Sequence, residues 1–521
     1  MALNWAGRNG FRAEKSWQMV DVAGPISTVT EAVGASLFLC SLLELVELVD
    51  LAWNWRRTTN RTMMRLSPAA DAREAFVSLH VPLCSEPVPV VKETLRALAA
   101  LEYPHYEVVV VYNNTRDREL WEPVAKLCAD LGPRFKFHYI RELQGFKAGA
   151  LNFALRQTAP HTEIIAVVDA DYVLEPGYLK RVLPFFSDER LAFLQTPQDY
   201  RCAGRSWFPS ACYWEYWQFF EVGMTIRSLR NAPMLHGTMS VIRKNALVEA
   251  GGWAEWCVTE DSELGLRLLS LGHKGRYLKT TYGRGLLPFS FRDYKRQRWR
   301  WVAGGAQQLV RYWPQLTTGR QLSVAQKVHH LQGWLPWLRD ALLLASLIVV
   351  GLAAIQVILV DHSSLVPLLT LGAGLTSVIL QQVVRQLIIY KARLGLRWSD
   401  TIGATIAVLS LTLTIGPAWV LALFGRRTPF EVTPKAPELP GAWWRDLKLE
   451  LACGTYVAVL SLALLTAEQG ALWIAPLVPA LYLPLIVPAY VMCFASRRAM
   501  QTAQIASATS DTPEAAILDR P

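Results

Sequence analysis

The sequence predicts an α/β domain with a largely parallel sheet, followed by a block of membrane helices. Three observations carry this. Between residues 72 and 332, short apolar runs ending at polar turns alternate with helical patterns. From 341 to 495, apolar segments approach the roughly 20 residues needed to cross hydrocarbon. Of 521 residues, 52% are hydrophobic and only 18% charged, which lies on the membrane side of an ordinary soluble composition.

The elements follow in order. Residues 1–60 hold a basic start and one apolar segment, 26–53. Glu44, Glu47 and Asp50 weaken that segment as a spanning helix, so it either crosses or lies against the rest. The first twenty residues lack an apolar core, and no secretory signal is expected. In the α/β region, "FVSLHVPL", "YEVVVVYN" and "EIIAVVDADY" read as strands and "VPVVKETLRALAAL" as a helix between them. After the aromatic-rich "LQGWLPWLRD", domain 333–495 carries apolar segments at 341–360, 365–389, 401–424, 449–466 and 472–495. Residues 496–521 form a polar tail expected to be disordered.

Loop charge sets the topology. Residues 361–364 and 467–470 carry no Lys or Arg and are expected outside, whereas "YKARLGLRWSD", "GRRTPFEVTPK" and "SRRAM" are basic and expected in the cytosol. Both flanks of 401–424 are then cytosolic. That segment is therefore expected to be interfacial or re-entrant, broken at Gly416-Pro417.

A formal net charge of +10 admits nucleic acid, anionic lipid or anionic substrates. Twenty tryptophans suit membrane interfaces and sugar stacking better than base readout, so nucleic acid is not an expected partner. None of the eight cysteines forms a CxxC pair, and reduced, mostly buried thiols are expected rather than a zinc site.

Three constellations carry chemistry. "VVDADYV" places Asp169 and Asp171 at the end of an apolar strand, where a period of two turns both carboxylates the same way. Hard oxygen donors there suit Mg²⁺ or Mn²⁺ against a diphosphate, though a plain turn accounts for them equally well. In "CVTEDSELGLRL", Thr259 resembles a helix cap and Glu260 and Asp261 fall in the first turn, where the helix dipole favours acids. The alternative makes Asp261 a general base. In "FRDYKRQRWRW", Gln297, Arg300 and Trp301 form QxxRW. The guanidinium suits a diphosphate and the indole a sugar face. On its own, the stretch reads better as a basic helix anchored at the membrane surface.

The order of these motifs, followed by a membrane block, resembles the family 2 processive glycosyltransferases: cellulose, chitin, hyaluronan and β-1,3-glucan synthases. "FEVTPK" (Phe430 to Lys435) is similar to the FxVTxK gating loop of cellulose synthase, which would occupy 428–437. "VPLCSEP", "FKAGALN" and "QTPQ" also match family stretches. The resemblance covers roughly 72–439. It implies a GT-A glycosyltransferase domain with a Rossmann-like mixed sheet, joined to an α-helical transmembrane domain, in a multi-pass bacterial inner-membrane protein whose catalytic domain is cytosolic.

By the same resemblance, Asp171 holds the metal. Asp169, Glu86, Asn113, Lys147, Gln297, Arg300, Thr433 and Lys435 bind the nucleotide-sugar. Asp261 is the base, and Trp301, Glu260, Gln195 and Phe430 meet the acceptor. The family's usual aspartate after the second strand is replaced in "YNNT" by Tyr112, with Asn113 next, which weakens or alters nucleotide recognition. His236 reads as a satisfied turn histidine. Among relatives, the wording is most similar to bacterial β-1,3-glucan and cyclic β-glucan synthases. The expected partners are UDP-glucose, a polysaccharide acceptor and membrane lipids, and an accessory export subunit or homo-oligomer fits the small number of crossings. Rival readings are another β-polysaccharide, a single transfer making a membrane glycolipid, and a catalytically weakened scaffold subunit.

Overall fold

The computed structural model describes residues 23–56, 74–201, 203–204, 206–359, 366–425, 441–466 and 475–509. The α/β region is built on a seven-stranded sheet in the order β3-β2-β1-β4-β8-β6-β9. Its strands are β1 (Val77–Leu83), β2 (Tyr106–Asn113), β3 (Phe135–Ile140), β4 (Ile164–Val167), β6 (Leu191–Gln195), β8 (Ser240–Arg243) and β9 (Lys274–Tyr277). Six run in one direction. Only β8 is reversed, pairing antiparallel with both β4 and β6. The expected largely parallel sheet is thus mixed, as the GT-A resemblance implies. All eight residues of β2 are buried, because helices cover both faces of the sheet. A small second sheet joins β5 (Val173–Leu174), β7 (Asp199–Tyr200) and β10 (Gly283–Gly285) over the carboxyl ends of the large one.

Among the described residues, six helical stretches are long and apolar enough to cross a membrane: Gly24–Trp53, Val324–Gln356, Val366–Arg393, Trp398–Leu423, Lys448–Thr466 and Leu477–Thr502. The acids of the first helix find partners. Glu44 accepts two bonds from Arg339 Nη1 (2.8 and 2.7 Å), Glu47 lies 3.3 Å from Arg385, and Asp50 lies 3.1 Å from Arg230. Their charges therefore do not keep the helix out of the bundle.

Three boundaries differ from expectation. The junction placed at 332 falls inside one continuous helix, Val324–Leu359, because the polar "KVHHLQ" turns and the apolar run share a helical path. The tail expected to be disordered from 496 is helical to Thr509, since a formed helix extends without a new nucleation cost. The segment 401–424 is broken, but at Ser410–Leu411, between helices Trp398–Leu409 and Thr412–Leu423. Gly416 instead lies within the second helix, where an added Cβ would stand 2.7 Å from the Asp340 carbonyl. It serves close helix packing.

Candidate active site

The strand order reverses beside β1: β2 and β3 build outward on one edge, and β4 returns to the other. Ligands of open α/β sheets bind beyond the strand ends at such a reversal. A cavity of about 370 Å³ lies there, lined by Glu86 after β1, Asn113 at the end of β2, and Asp169 and Asp171 after β4. Four non-glycine residues in its lining or next to it in the chain hold left-handed backbone: Ser85 (φ 52°), Asn114 (51°), Phe146 (53°) and Met239 (56°). Each costs about 1–3 kcal/mol and persists only where neighbours over-determine it. Asn114 shows how: its side chain accepts from Leu143 N at 2.7 Å and donates to Leu143 O at 2.9 Å.

Tyr112 turns away from this cavity. Its buried hydroxyl accepts from Glu86 N (3.2 Å) and donates to Glu86 O (3.1 Å), fixing the loop that presents Glu86. Asn113 lines the cavity, and its Nδ2 donates to Leu83 O at 3.0 Å, which fixes the orientation of the amide.

Asp169 and Asp171 lie past the end of β4, in a turn, so strand alternation does not set their direction. Asp169 Oδ1 is 2.6 Å from Lys147 Nζ. Asp171 is only 1% exposed, and its Oδ2 accepts from Leu286 N at 2.7 Å. Among the described residues no group of three or more His, Cys, Asp and Glu is arranged around a metal position. Two carboxylates on one wall still fit Mg²⁺ or Mn²⁺, which take one or two carboxylates and complete their shells with phosphate oxygens and water.

Helix Glu260–Ser270 begins after Thr259, but the Thr259 side chain does not cap it. Its Oγ1 accepts instead from Gln308 Nε2 at 2.9 Å. Glu260 is buried, and both it and Asp261 face the cavity, where simple capping acids would face water. Burial raises the pKa of both carboxyls. Asp261 adds to the shift of Glu260, and Asp169 adds to that of Asp261, while Lys147 opposes both. For Lys147 itself, burial favours the neutral amine, but Asp169, Glu260 and Asp261 outweigh it and hold the cation.

A base must be ionised, so activity falls as pH drops through the raised Asp261 value. Lys147→Met removes a cation that favours the carboxylate and should move the acid limb of kcat/KM to higher pH. A limb that stays in place or moves down would uncouple Lys147 from the titrating base.

Helix Phe291–Thr317 starts at Ser290, whose Oγ accepts from Asp293 N at 3.1 Å. It brings Gln297, Arg300 and Trp301 to the cavity wall. Gln297 Oε1 is buried with no hydrogen-bond partner among the described residues, a vacancy that a ligand donor would fill. Arg298 stacks 4.4 Å over the Trp301 ring and pairs with Glu215, and Tyr216 meets the indole edge-on at 5.1 Å. This packing holds Trp301 at the cavity instead of at a lipid-facing surface.

A second cavity, of about 310 Å³, opens from the first. Gln198, Tyr216, His236, Thr259, Asp261 and Trp301 line both. It continues among the apolar helices to Glu44, Trp334 and Gln382.

Gln195, expected at the acceptor, lies outside both cavities. It is fully buried, with Nε2 donating to Thr196 O and Thr238 O and Oε1 accepting from His236 N. Gln198, the other glutamine of "QTPQ", takes the cavity position. Tyr216 was also missed, because the aromatic run "CYWEYWQFF" gives no periodic signal for one ring over another. Phe430, Thr433 and Lys435, with the rest of the expected gating loop, lie outside the described residues.

The sheet, the acid turn and the basic helix define a GT-A glycosyltransferase domain. Residues 75–304 match the family described as "Glycosyltransferase like family 2", a stretch that contains every described site residue from Glu86 to Trp301. This matched stretch, under half of the chain, is similar to the family 2 glycosyltransferases. The chain is 30% identical over 305 residues to the UDP-forming cellulose synthase catalytic subunit of Pseudomonas fluorescens, covering 56% of this chain and 39% of that one. It is 27% identical to a probable glucomannan 4-beta-mannosyltransferase 9 of Oryza sativa, covering 50% and 51%. The chain thus spans about half or less of the length of these relatives. Among solved structures, a mannosyltransferase from Pyrobaculum calidifontis in complex with GDP-Man and Mn2+ shares the fold, with a TM-score of 0.52, 18% identity, and coverage of 76% of this chain and 100% of that one.

Proposed function

We propose that the chain is a processive, inverting β-glycosyltransferase of the cellulose and mannan synthase type, set in a bacterial inner membrane with its catalytic domain in the cytosol. It uses UDP-glucose and builds a β-glucan, which we assign as β-1,3-linked. The observation that carries this reading is the meeting of the two cavities at Asp261 and Trp301, one holding the DxD and QxxRW residues and the other leading among apolar helices.

In the transfer, Asp261 takes the proton of the acceptor hydroxyl as that oxygen attacks the anomeric carbon. The bond to the UDP oxygen breaks on the opposite face, and the α-linked donor becomes a β-linked product. Arg300 and Lys147 place positive charge where the diphosphate departs, and Gln297 offers its amide there. A divalent cation held by Asp171, with Asp169 beside the nucleotide, would supply further charge stabilisation to the leaving diphosphate. Trp301 holds the acceptor ring by its face, a contact without a fixed hydrogen-bond pattern that tolerates an advancing chain.

A β-1,4-linked product is the second reading, favoured by relatives named as a cellulose synthase catalytic subunit and a probable glucomannan 4-beta-mannosyltransferase. Purified full-length protein with UDP-glucose and Mg²⁺ should release UDP and make polymer, and chelation should stop both. Digestion by a β-1,3-glucanase supports the first linkage, and digestion by a β-1,4-glucanase the second. No UDP release from any UDP-sugar would refute the enzyme reading, and a lipid-extractable monoglycoside as the only product would refute polymerisation.

A further inference from the structure

Just beyond the Asp261–Trp301 seam, the wall of the second cavity carries polar atoms that nothing among the described residues satisfies. His236 Nε2, Arg227 Nη1 and His330 Nε2 are buried, and none has a hydrogen-bond partner among the described residues. All three residues line this cavity, and His236 lines the catalytic one as well. Arg227 is 7% exposed and His330 4% exposed. The turn histidine read from sequence as satisfied is therefore not. Its backbone is bonded on both sides, to Gln195 and Gln198, while its ring is held edge-on by Phe219 (5.0 Å) and Phe220 (5.4 Å). Burial, and then the nearby Arg227, lower its pKa to about 3, so the ring is neutral and offers one donor and one acceptor. Arg227 is lowered by burial to about 10, opposed by Glu47, and stays cationic.

Each unsatisfied buried polar group costs about 1–3 kcal/mol, and charged groups cost more. Three along one wall call for a ligand. Apart from Asp261, the acids around the cavity are already engaged: Glu44 and Asp340 with Arg339, Glu47 with Arg385, Asp50 with Arg230, and Glu215 with Arg298. The remaining requirement is for a neutral molecule rich in hydroxyls, since these both donate and accept. The indoles of Trp301, Trp334 and Trp337 line the same cavity and suit the rings of such a molecule.

We propose that His236 and Arg227 are specificity-determining residues for the acceptor chain. They hydrogen-bond the hydroxyls of the sugar unit behind the one under attack, while Trp301 holds a ring face. Trp301 takes any pyranose, whereas the two fixed polar groups select the epimer and linkage that can advance. This rests on the polymerising activity proposed above.

The test uses the full-length protein, UDP-glucose and a soluble β-glucan tetrasaccharide. His236→Phe keeps an aromatic ring against Phe219 and Phe220 but removes both nitrogens. Arg227→Met removes a buried cation. Each variant should raise KM for the tetrasaccharide about tenfold, the loss of one good hydrogen bond, shift KM for UDP-glucose much less, and shorten the product. His236→Gln should recover most of the loss.

Arg227→Met should also raise the melting temperature without sugar, because an unpartnered buried charge destabilises the fold. The tetrasaccharide should raise the melting temperature of wild type but not of Arg227→Met, which reads binding without turnover and without relying on the histidine variant. Unchanged tetrasaccharide KM and product length in Arg227→Met would overturn the proposal, as would a lowered melting temperature with intact kinetics. Stabilisation by inorganic phosphate alone, dependent on Arg227, would replace it with an anion site. A wild type that polymerises beside indifferent variants refutes this inference only. A wild type that binds the tetrasaccharide through Arg227 but transfers nothing refutes only the function proposed above.

Discussion

Asp261→Asn should reduce sugar transfer by about 10²–10⁴-fold, the usual contribution of a positioned base, while UDP affinity stays close to wild type. The amide keeps the shape of the side chain and can still accept from Ser262 N, the 2.7 Å bond made by Oδ1. What disappears is the ability to take a proton. The donor side depends on other groups, Asp169, Asp171, Gln297 and Arg300, which line the same cavity from the β4 turn and the Phe291–Thr317 helix. Single-turnover transfer and UDP titration on one preparation separate the two effects. A variant keeping a tenth of the wild-type rate would reduce Asp261 to a helix-start acid. Equal losses of UDP affinity and rate would make it part of the nucleotide pocket instead.

Gly237→Ala should be nearly as damaging, although the residue carries no functional group. Its backbone has φ of +73°, where a side chain is strained. An added Cβ would also stand 2.9 Å from both Asp261 Oδ2 and Lys147 Nζ. Neither atom can retreat freely, because Lys147 is bound at 2.6 Å to Asp169 and Asp261 begins a packed helix. A displacement of about 1 Å at a reacting group can cost about 10²-fold in rate. The expected result is a kcat loss of that order with the fold retained by circular dichroism. Wild-type turnover would place the reacting atoms elsewhere.

Much of this site was legible in the sequence because its motifs are short and local. A strand that ends in DAD, a helix that begins with TED and a helix that carries QxxRW converge wherever the sheet topology places them. What escaped was set by tertiary contacts. In "QTPQ" the strand ends at Gln195, whose amide is spent inside the fold, and the residue three positions on reaches the cavity. Strand β8 reads like any apolar run, and its reversed direction depends on the path of the chain between β6 and β8. Glu44 looked unfit for a bundle because its partner Arg339 is far away in sequence. Gly416-Pro417 looked like a break, but a glycine required for close packing is written the same way as one required for bending.

The pairing of Glu44 with Arg339 bears on how the protein is made. The two residues are 295 apart in sequence. At about 5–20 residues per second of synthesis, some 15–60 s separate their appearance. For that interval the first helix waits with Glu44 and Glu47 lacking the arginines that later hold them. Formation of the first helix and its docking are thus separate events, and the second must await the Val324–Leu359 helix. Arg339→Met would leave Glu44 without its main partner in the finished bundle, a loss of about 3–5 kcal/mol. It would also expose the waiting helix to membrane proteolysis, so the variant should be recovered at low yield before any defect in catalysis can be measured.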